Sequence, residues 1–220
     1  MGQKVNPTGF RIGSFLPWKS RWFADGKKYE DYLIEDIKIR RILMDKLRVS
    51  GVTKVEIERL PKSIVVTMVV SRPGMVIGRG GSGIEDVKKI ILEVIKSVRG
   101  SRTNLKNVKI EPRVIEVKDP ELSALIVAGR IAGDMERRMP HRRVVAKTID
   151  RVMQSGAKGI KIVLSGRIAG ADISRVEKYH KGSVPTQTLR KNIDYAQVPA
   201  LLKRGYVGVK VYIHKAKADE

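Results

Sequence analysis

The stretch 73–84 constrains this chain more than any other. It reads Pro73, Gly74, Met75, Val76, Ile77, Gly78, Arg79, Gly80, Gly81, Ser82, Gly83, Ile84. This is an Ile-Gly-x-x-Gly-x-x-Ile pattern, in which apolar residues flank a glycine turn carrying an arginine at its tip. Glycine lets a backbone approach a ligand because no Cβ intervenes. Outward N–H groups of such a turn at a helix start attract phosphate. Directly afterwards Ile84, Val87, Ile90, Ile91, Val94, Ile95 and Val98 fall on one helical stripe, with Glu85, Lys88, Lys89, Glu93 and Lys96 elsewhere.

The same residues also spell Gly78-x-Gly80-x-x-Gly83, a dinucleotide-binding fingerprint. That fingerprint requires a strand running into its first glycine and an acidic residue about 20 positions on. Here Pro73 and Gly74 break the chain just before the turn, and Lys96, Ser97 and Val98 hold the later position. The nucleotide-enzyme reading fails on both counts. A glycine turn with no ligand is the plainer alternative, and charge argues against it. The chain has 45 Lys+Arg against 23 Asp+Glu, a net +22, and a pI of about 10.3. The excess is +4 over residues 1–30, +8 over 31–118 and +10 over 119–220. A field spread this evenly favours a polyanion, nucleic acid or an anionic membrane. No apolar run approaches the roughly 18 residues of a membrane span, and no signal peptide is visible. Asn6 stands where a myristoylation signal needs Ser or Thr. The expectation is a cytoplasmic nucleic-acid binder with no membrane partner.

Catalysis finds no support. Without cysteine there are no disulfides or thiolate metal sites. His141, His180 and His214 lie far apart and show no ligand spacing. No Ser/His/Asp or Cys/His arrangement stands out. No catalytic residue, metal or cofactor is expected.

Residues 1–30 read as an extended arm, with Phe10, Phe15, Trp18, Trp22 and Phe23 interleaved with Lys and Arg. Such aromatics can stack on bases or seat in a groove of the protein itself or a neighbour. A helix is expected over 31–49, ended near Gly51. Strands follow over 53–58, by alternation, and 64–70, by a β-branched run. After the glycine turn and its helix, 104–107 read as a linker and 108–117 as a strand in which Pro112 marks an edge or bulge. The order helix, strand, strand, short helix, GxxG, helix, strand resembles the type II KH RNA-binding module. In that module a GxxG loop clamps four backbone nucleotides. The resemblance implies helices on a three-stranded sheet over 31–118, with Gly78, Arg79, Gly80 and Gly81 as the RNA-binding loop.

A second unit opens at Lys118. Asp119 suits a cap, Pro120 the first helical position and Glu121 the positive helix end. Ala124, Ala128, Gly129, Ala132 and Gly133 allow close packing. Another helix runs from near Pro140 to Gly156, with Val145, Ile149 and Val152 inward and Arg143, Lys147 and Arg151 recurring on another face. Residues 137–181 carry a local excess of +9. Such a run is usually a solvated face; in a chain this basic it reads as an RNA surface. Strands are expected over 159–164, 171–181, 186–195 and 206–214, with 196–205 connecting. The fold class is α+β throughout: after the KH-like domain, a second α+β domain of two helices on a mainly antiparallel sheet over 119–214, then a disordered tail over 215–220.

Nearly the whole chain resembles the bacterial family of small ribosomal subunit protein three. The resemblance rests on Met1 to Pro7 with Gly9, Phe10 and Arg11, on the KH loop, and on Gly156 to Lys161. It rests also on Ser165 to Ala171 and on Gly205 to Ile213. It implies a non-catalytic protein of the subunit head, bound to 16S rRNA mainly through the C-terminal domain and set at the mRNA entrance beside other small-subunit proteins. It further implies a basic helix that grips mRNA and assists its unwinding. Arg142 and Arg143 match the family's paired arginines. Its third basic position falls on Ala146, and Lys147 follows. Candidate rRNA contacts are Lys4, Arg11, Arg137, Arg138, Arg151, Lys158, Lys161, Arg167, Arg175, Lys178 and Lys181. The rival from another class is a free-standing KH protein, an RNA chaperone or regulator outside the ribosome.

Overall fold

The computed structural model describes residues 3–99 and 109–216; the linker expected over 104–107 lies outside them. The chain divides into two units, Trp18–Lys118 and Met1–Pro17 with Asp119–Glu220. The sequence suggested one arm over 1–30. The structure instead shares that arm between the two units, and in each a buried polar anchor explains why.

The first unit contains β1 (Ser20–Arg21), α2 (Lys27–Lys46), β2 (Val52–Arg59), β3 (Ser63–Val70), α3 (Pro73–Ile77), α4 (Ser82–Arg99) and β4 (Lys109–Glu116). Its sheet order is β1-β2-β3-β4, with β2 and β3 antiparallel and the outer pairs parallel. The three expected strands thus gain a fourth, two residues long, drawn from the arm. Ile39 and Leu43 of α2 and Val87, Ile91, Val94 and Ile95 of α4 bury against Ile57, Ile64, Val66, Met68 and Ile110. Each such side chain contributes about 1.5–3 kcal/mol of apolar burial. Gly51, at φ 67, ψ 56, ends the turn after α2 in the left-handed conformation that glycine accepts.

Glu35 and Asp36 of α2 are fully buried, yet paired. Arg59 Nη1 donates to Glu35 Oε2 at 2.6 Å and its Nε to Asp36 Oδ1 at 3.1 Å. Arg99 Nη2 donates to Glu35 at 3.0 Å, and this bond holds the Arg99 guanidinium above its ordinary pKa. Ser20 Oγ and Trp22 Nε1 donate to Asp36 Oδ2 at 2.7 and 2.8 Å. Tyr32 lies under both arginines, 4.6 and 5.1 Å from ring centre to guanidinium, and edge-on to Trp22. The arm's second half is therefore seated in its own unit.

The second unit contains α1 (Pro7–Arg11), α5 (Ala124–Glu136), α6 (His141–Gln154), β5 (Gly159–Gly166), β6 (Arg175–Gly182), β7 (Ile193–Leu202) and β8 (Gly205–His214). Its sheet is antiparallel throughout, in the order β6-β5-β8-β7. Ile160, Ile162, Leu164, Val207, Val209, Val211 and Ile213 meet Val127, Ile131, Val145, Ile149 and Val152 of the helices in one core. Three expectations need correction. The stretch 186–192 is not strand: it belongs to turns, while β7 runs to Leu202 through the supposed connector. Pro199 does not end it, because β7 is an edge strand, where a missing N–H is tolerated. Strand β6 begins at Arg175 because the turn Ile168–Gly170, with positive φ at Ala169 and Gly170, redirects the chain first. Asp119 heads only a short 3-10 turn, Pro120–Leu122. The main helix starts at Ala124, whose N–H donates to Asp194 Oδ2 of β7 at 3.0 Å.

At the start of the tail expected over 215–220, Lys215 is instead held in the fold. Lys215 donates its N–H to Asn192 O at 3.1 Å, with its ammonium 3.8 Å from Asp194, and 217–220 lie outside the described residues.

Candidate nucleic-acid interface

The glycine loop joins α3 to α4 through the single turn Arg79–Gly81. Its glycines have two jobs. A Cβ on Gly83 would collide with the Val76 carbonyl oxygen, and one on Gly78 would meet the Gly83 nitrogen at 2.8 Å. These two let α3 and α4 close on each other. Gly80 and Gly81, at φ 62 and 83, face open space and shape the tip, where Arg79 is exposed. Val76 is buried while Met75 and Ile77 are exposed beside the loop. The arrangement presents an apolar shelf, a cation and a backbone free of side chains, which suits a sugar–phosphate strand.

In the second unit α6 buries Val144, Val145, Thr148, Ile149 and Val152 and exposes Arg142, Arg143, Ala146, Lys147, Asp150 and Arg151. Arg143, Lys147 and Arg151 form the expected stripe. Arg142 differs, since its guanidinium reaches the Tyr179 hydroxyl of β6. Beside it, His141 Nε2 lies 3.1 Å and Arg175 Nε 2.7 Å from Glu177, and Tyr179 donates to Glu177 at 2.6 Å. The Tyr179 bond first, then His141 and Arg175, hold the Glu177 carboxyl below its ordinary pKa. Asp150 pairs with Lys181 at 2.9 Å. Arg137 and Arg138 are exposed at the end of α5, with Arg138 at φ 63.

The basic run 137–181 reads in sequence as one patch, yet the register divides it. Arg175 and Lys181 lie on the sheet face towards α6, whereas Lys161 and Lys178 lie on the opposite face. Lys4 joins that second group. Burial, then Lys4 and Lys178, lower the pKa of Lys161. Lys158 is exposed in the turn before β5, and Arg167 is exposed ahead of the Ile168–Gly170 turn.

Arg11 is the candidate that the structure removes. It is 1% exposed, and its guanidinium donates to Lys191 O (2.7 Å), Pro7 O (2.9 Å), Thr188 O (2.8 Å) and Thr186 O (3.2 Å). Its fork ties α1 to the loop before β7 and is spent on those carbonyls. Conversely, sequence reasoning passed over Tyr195, Lys210 and Tyr212. The alternation of 206–214 marked Lys210 and Tyr212 as one face of a strand. Only strand pairing brings Tyr195 beside them.

Among the described residues no group of His, Cys, Asp and Glu is placed to hold a metal ion, and no helix is long and apolar enough to cross a membrane.

Two family models match: the KH domain over residues 38–122, and the C-terminal domain of ribosomal protein S3 over 131–213. The small ribosomal subunit protein uS3 of Clostridium novyi is 43% identical over 217 residues, covering 99% of this chain and 94% of that protein. Those of Caldicellulosiruptor saccharolyticus and Persephonella marina are 45% and 46% identical over 215 residues, covering 98% of this chain and 92% and 90% of theirs. The chain belongs to the uS3 family of small-subunit ribosomal proteins. Family membership makes it a structural protein rather than an enzyme, with a KH domain spanning the glycine loop. The uS3 C-terminal match runs from α5 to β8 and takes in α6, both faces of the sheet and the turn at Ile168–Gly170.

Proposed function

We propose that this protein is a structural, RNA-binding component of the small-subunit head in the cytoplasmic ribosome. Its second unit holds 16S rRNA, and α6 lines the mRNA entrance. The observation that carries the second part is the exposed stripe of Arg143, Lys147 and Arg151, flanked by Arg142, on a helix whose other side is core. A fixed row of cations on a rigid helix holds separated phosphates without reading sequence. Arg142 and Arg143 sit at the helix start and, with Lys147, serve mRNA; Arg151, a further turn along, serves rRNA. Lys4, Arg137, Arg138, Lys158, Lys161, Arg167, Arg175, Lys178 and Lys181 supply further phosphate contacts. The KH loop, Gly78 to Gly81, binds a single strand. Exposed Phe23, Leu33 and Ile37 suit contacts with neighbouring proteins of the head.

The test replaces Arg142, Arg143 and Lys147 together by alanine. The stripe lies off the core, so stability should move by no more than about 0.5 kcal/mol. Small subunits should assemble, and ribosomes carrying the variant should slow on a message with a stable hairpin more than on an unstructured one. Failure to incorporate, or equal slowing on both messages, would reassign these side chains to rRNA.

A further inference from the structure

Helices α5 and α6 of the second unit pack against one face of its sheet. On the other face the register places Lys161 opposite His180 on one side and Tyr212 on the other, Tyr212 opposite Tyr195, Val163 between Lys178 and Lys210, and Lys210 opposite Gln197. Glu177 and Asp194, the carboxylates of these four strands, both lie on the helix side. The Tyr195 and Tyr212 rings stand 4.8 Å apart, tilted by 44°, and the Lys161 ammonium lies 5.8 Å from the Tyr212 ring centre. Tyr195 donates its hydroxyl to Gln197 Oε1 at 3.1 Å, which fixes the ring at the sheet surface. Both rings remain half-buried, and Lys4 lies close enough to depress Lys161 together with Lys178.

A paired aromatic surface ringed by cations, with no acid on its side of the strands, is matched to one chemistry. Bases stack on tyrosine whatever their identity, and the phosphates between them need fixed positive charge. A regular RNA duplex offers no unstacked base to such a surface. An acidic peptide would satisfy the lysines but leave the rings without a flat partner.

We propose that this open face is a platform for unpaired RNA, with bases stacking on Tyr195 and Tyr212 and the backbone held by Lys161, Lys178 and Lys210. The proposal rests on the rRNA-binding reading of the second unit and deepens it. The platform takes an unpaired segment, whereas the helix side of the same unit, with α6, meets backbone phosphates.

The test uses the full chain with Tyr195→Leu and Tyr212→Leu together, and with the corresponding Tyr→Phe pair. Binding is measured to a ten-nucleotide single strand and to a duplex of equal phosphate number, at fixed salt. The Leu pair should lose about tenfold or more on the single strand and little on the duplex, while the Phe pair keeps its affinity. Lys161→Gln should weaken the single strand and reduce its salt slope by about one phosphate, with little effect on the duplex. Equal loss on both ligands in the Leu pair, or unchanged single-strand binding, overturns the platform. In that second case, if Arg143→Ala and Lys147→Ala still weaken the duplex, the rRNA reading survives without the platform. A wild-type chain that binds an acidic peptide but neither RNA overturns both.

Discussion

In the first unit Arg59 and Arg99 lie buried against Glu35 and Asp36, so positive charge is spent inside the fold. In the second, Lys161 and Lys178 stand on an open sheet face whose strands place no carboxylate there. By residue count 31–118 and 119–220 carry similar excesses, +8 and +10. Net charge alone does not say where a polyanion sits; the depth at which each cation finds its counter-charge does. A buried guanidinium with a carboxylate is part of the structure. An uncompensated surface lysine is available to a ligand.

The sharpest way to break that contrast is Glu35→Ala. It removes the carboxylate shared by Arg59 and Arg99, whose side chains are 4% and 12% exposed, and leaves two guanidiniums crowded in a poorly hydrated space. Stripping one partner from a buried pair costs about 3–5 kcal/mol. Trp18 and Trp22 both belong to the first unit, so tryptophan emission during urea unfolding reports on it. The midpoint should fall sharply. An unchanged midpoint would mean the cluster is not what ties α2 to β2 and α4. Lys161→Ala, the counterpart in the second unit, should stay within about 0.5 kcal/mol of the parent.

Arg11 tests the opposite claim, that one cation of the second unit is also structural. Arg11→Ala leaves the carbonyls of Pro7, Thr186, Thr188 and Lys191 without their donors, a loss of about 2–3 kcal/mol. Arg11→Lys should not rescue it, because a single ammonium cannot reproduce the guanidinium fork. Hydrogen exchange of the β7 amides reads the effect. If Arg11 were an RNA contact instead, both variants would exchange like the parent and differ only in RNA affinity.

The architecture was largely legible in the sequence. Alternation marked β2 and β8, apolar stripes marked α4 and α6, and the glycine run placed the loop. What escaped came from long-range pairing. Glu35 and Asp36 look like solvent-facing helix residues until Arg59, Arg99, Ser20 and Trp22 converge on them from three separate segments. Arg11 looks like one more cation of a basic arm, since three of the four carbonyls it serves lie 175, 177 and 180 positions away. The site showed the same division. Arg143, Lys147 and Arg151 were visible from helical spacing alone. The separation of Lys161 from Lys181 across a sheet, and the meeting of Tyr195 with Tyr212, depend on strand register.

The loop glycines give a smaller effect and split into two kinds. Gly83→Ala forces α3 and α4 apart at the Val76 carbonyl and should cost about 1–3 kcal/mol. Replacing Arg79 and Gly80 by Asp meets no steric obstacle and costs about 1 kcal/mol, for a left-handed residue that Asp tolerates. That pair should remain folded and lose single-strand RNA affinity, because carboxylates then occupy the place of phosphate. Unchanged affinity would take the loop out of the RNA site.

The smallest expected effect separates structure from function most cleanly. Two non-glycine residues of the second unit sit at positive φ, Arg138 at 63° and Ala169 at 55°. Arg138 follows the end of α5, where its N–H donates to Met135 O at 2.9 Å and that of Met139 to Asp134 O at 3.1 Å. This pattern favours glycine at position 138. Relieving left-handed strain returns about 1–2 kcal/mol, and the freer unfolded chain of a glycine variant takes back roughly half of that. Ala169→Gly should therefore stabilise the second unit by about 0.5–1 kcal/mol, with RNA binding unchanged. Arg138→Gly should stabilise it by a similar amount while weakening rRNA binding, because the same substitution removes an exposed cation. Melting followed by far-ultraviolet circular dichroism, paired with a salt titration of rRNA affinity, reads both quantities. Opposite signs for Arg138→Gly would mean that the strain is kept for the sake of the contact. A variant more stable and equally tight would make Arg138 a bystander on the rRNA face.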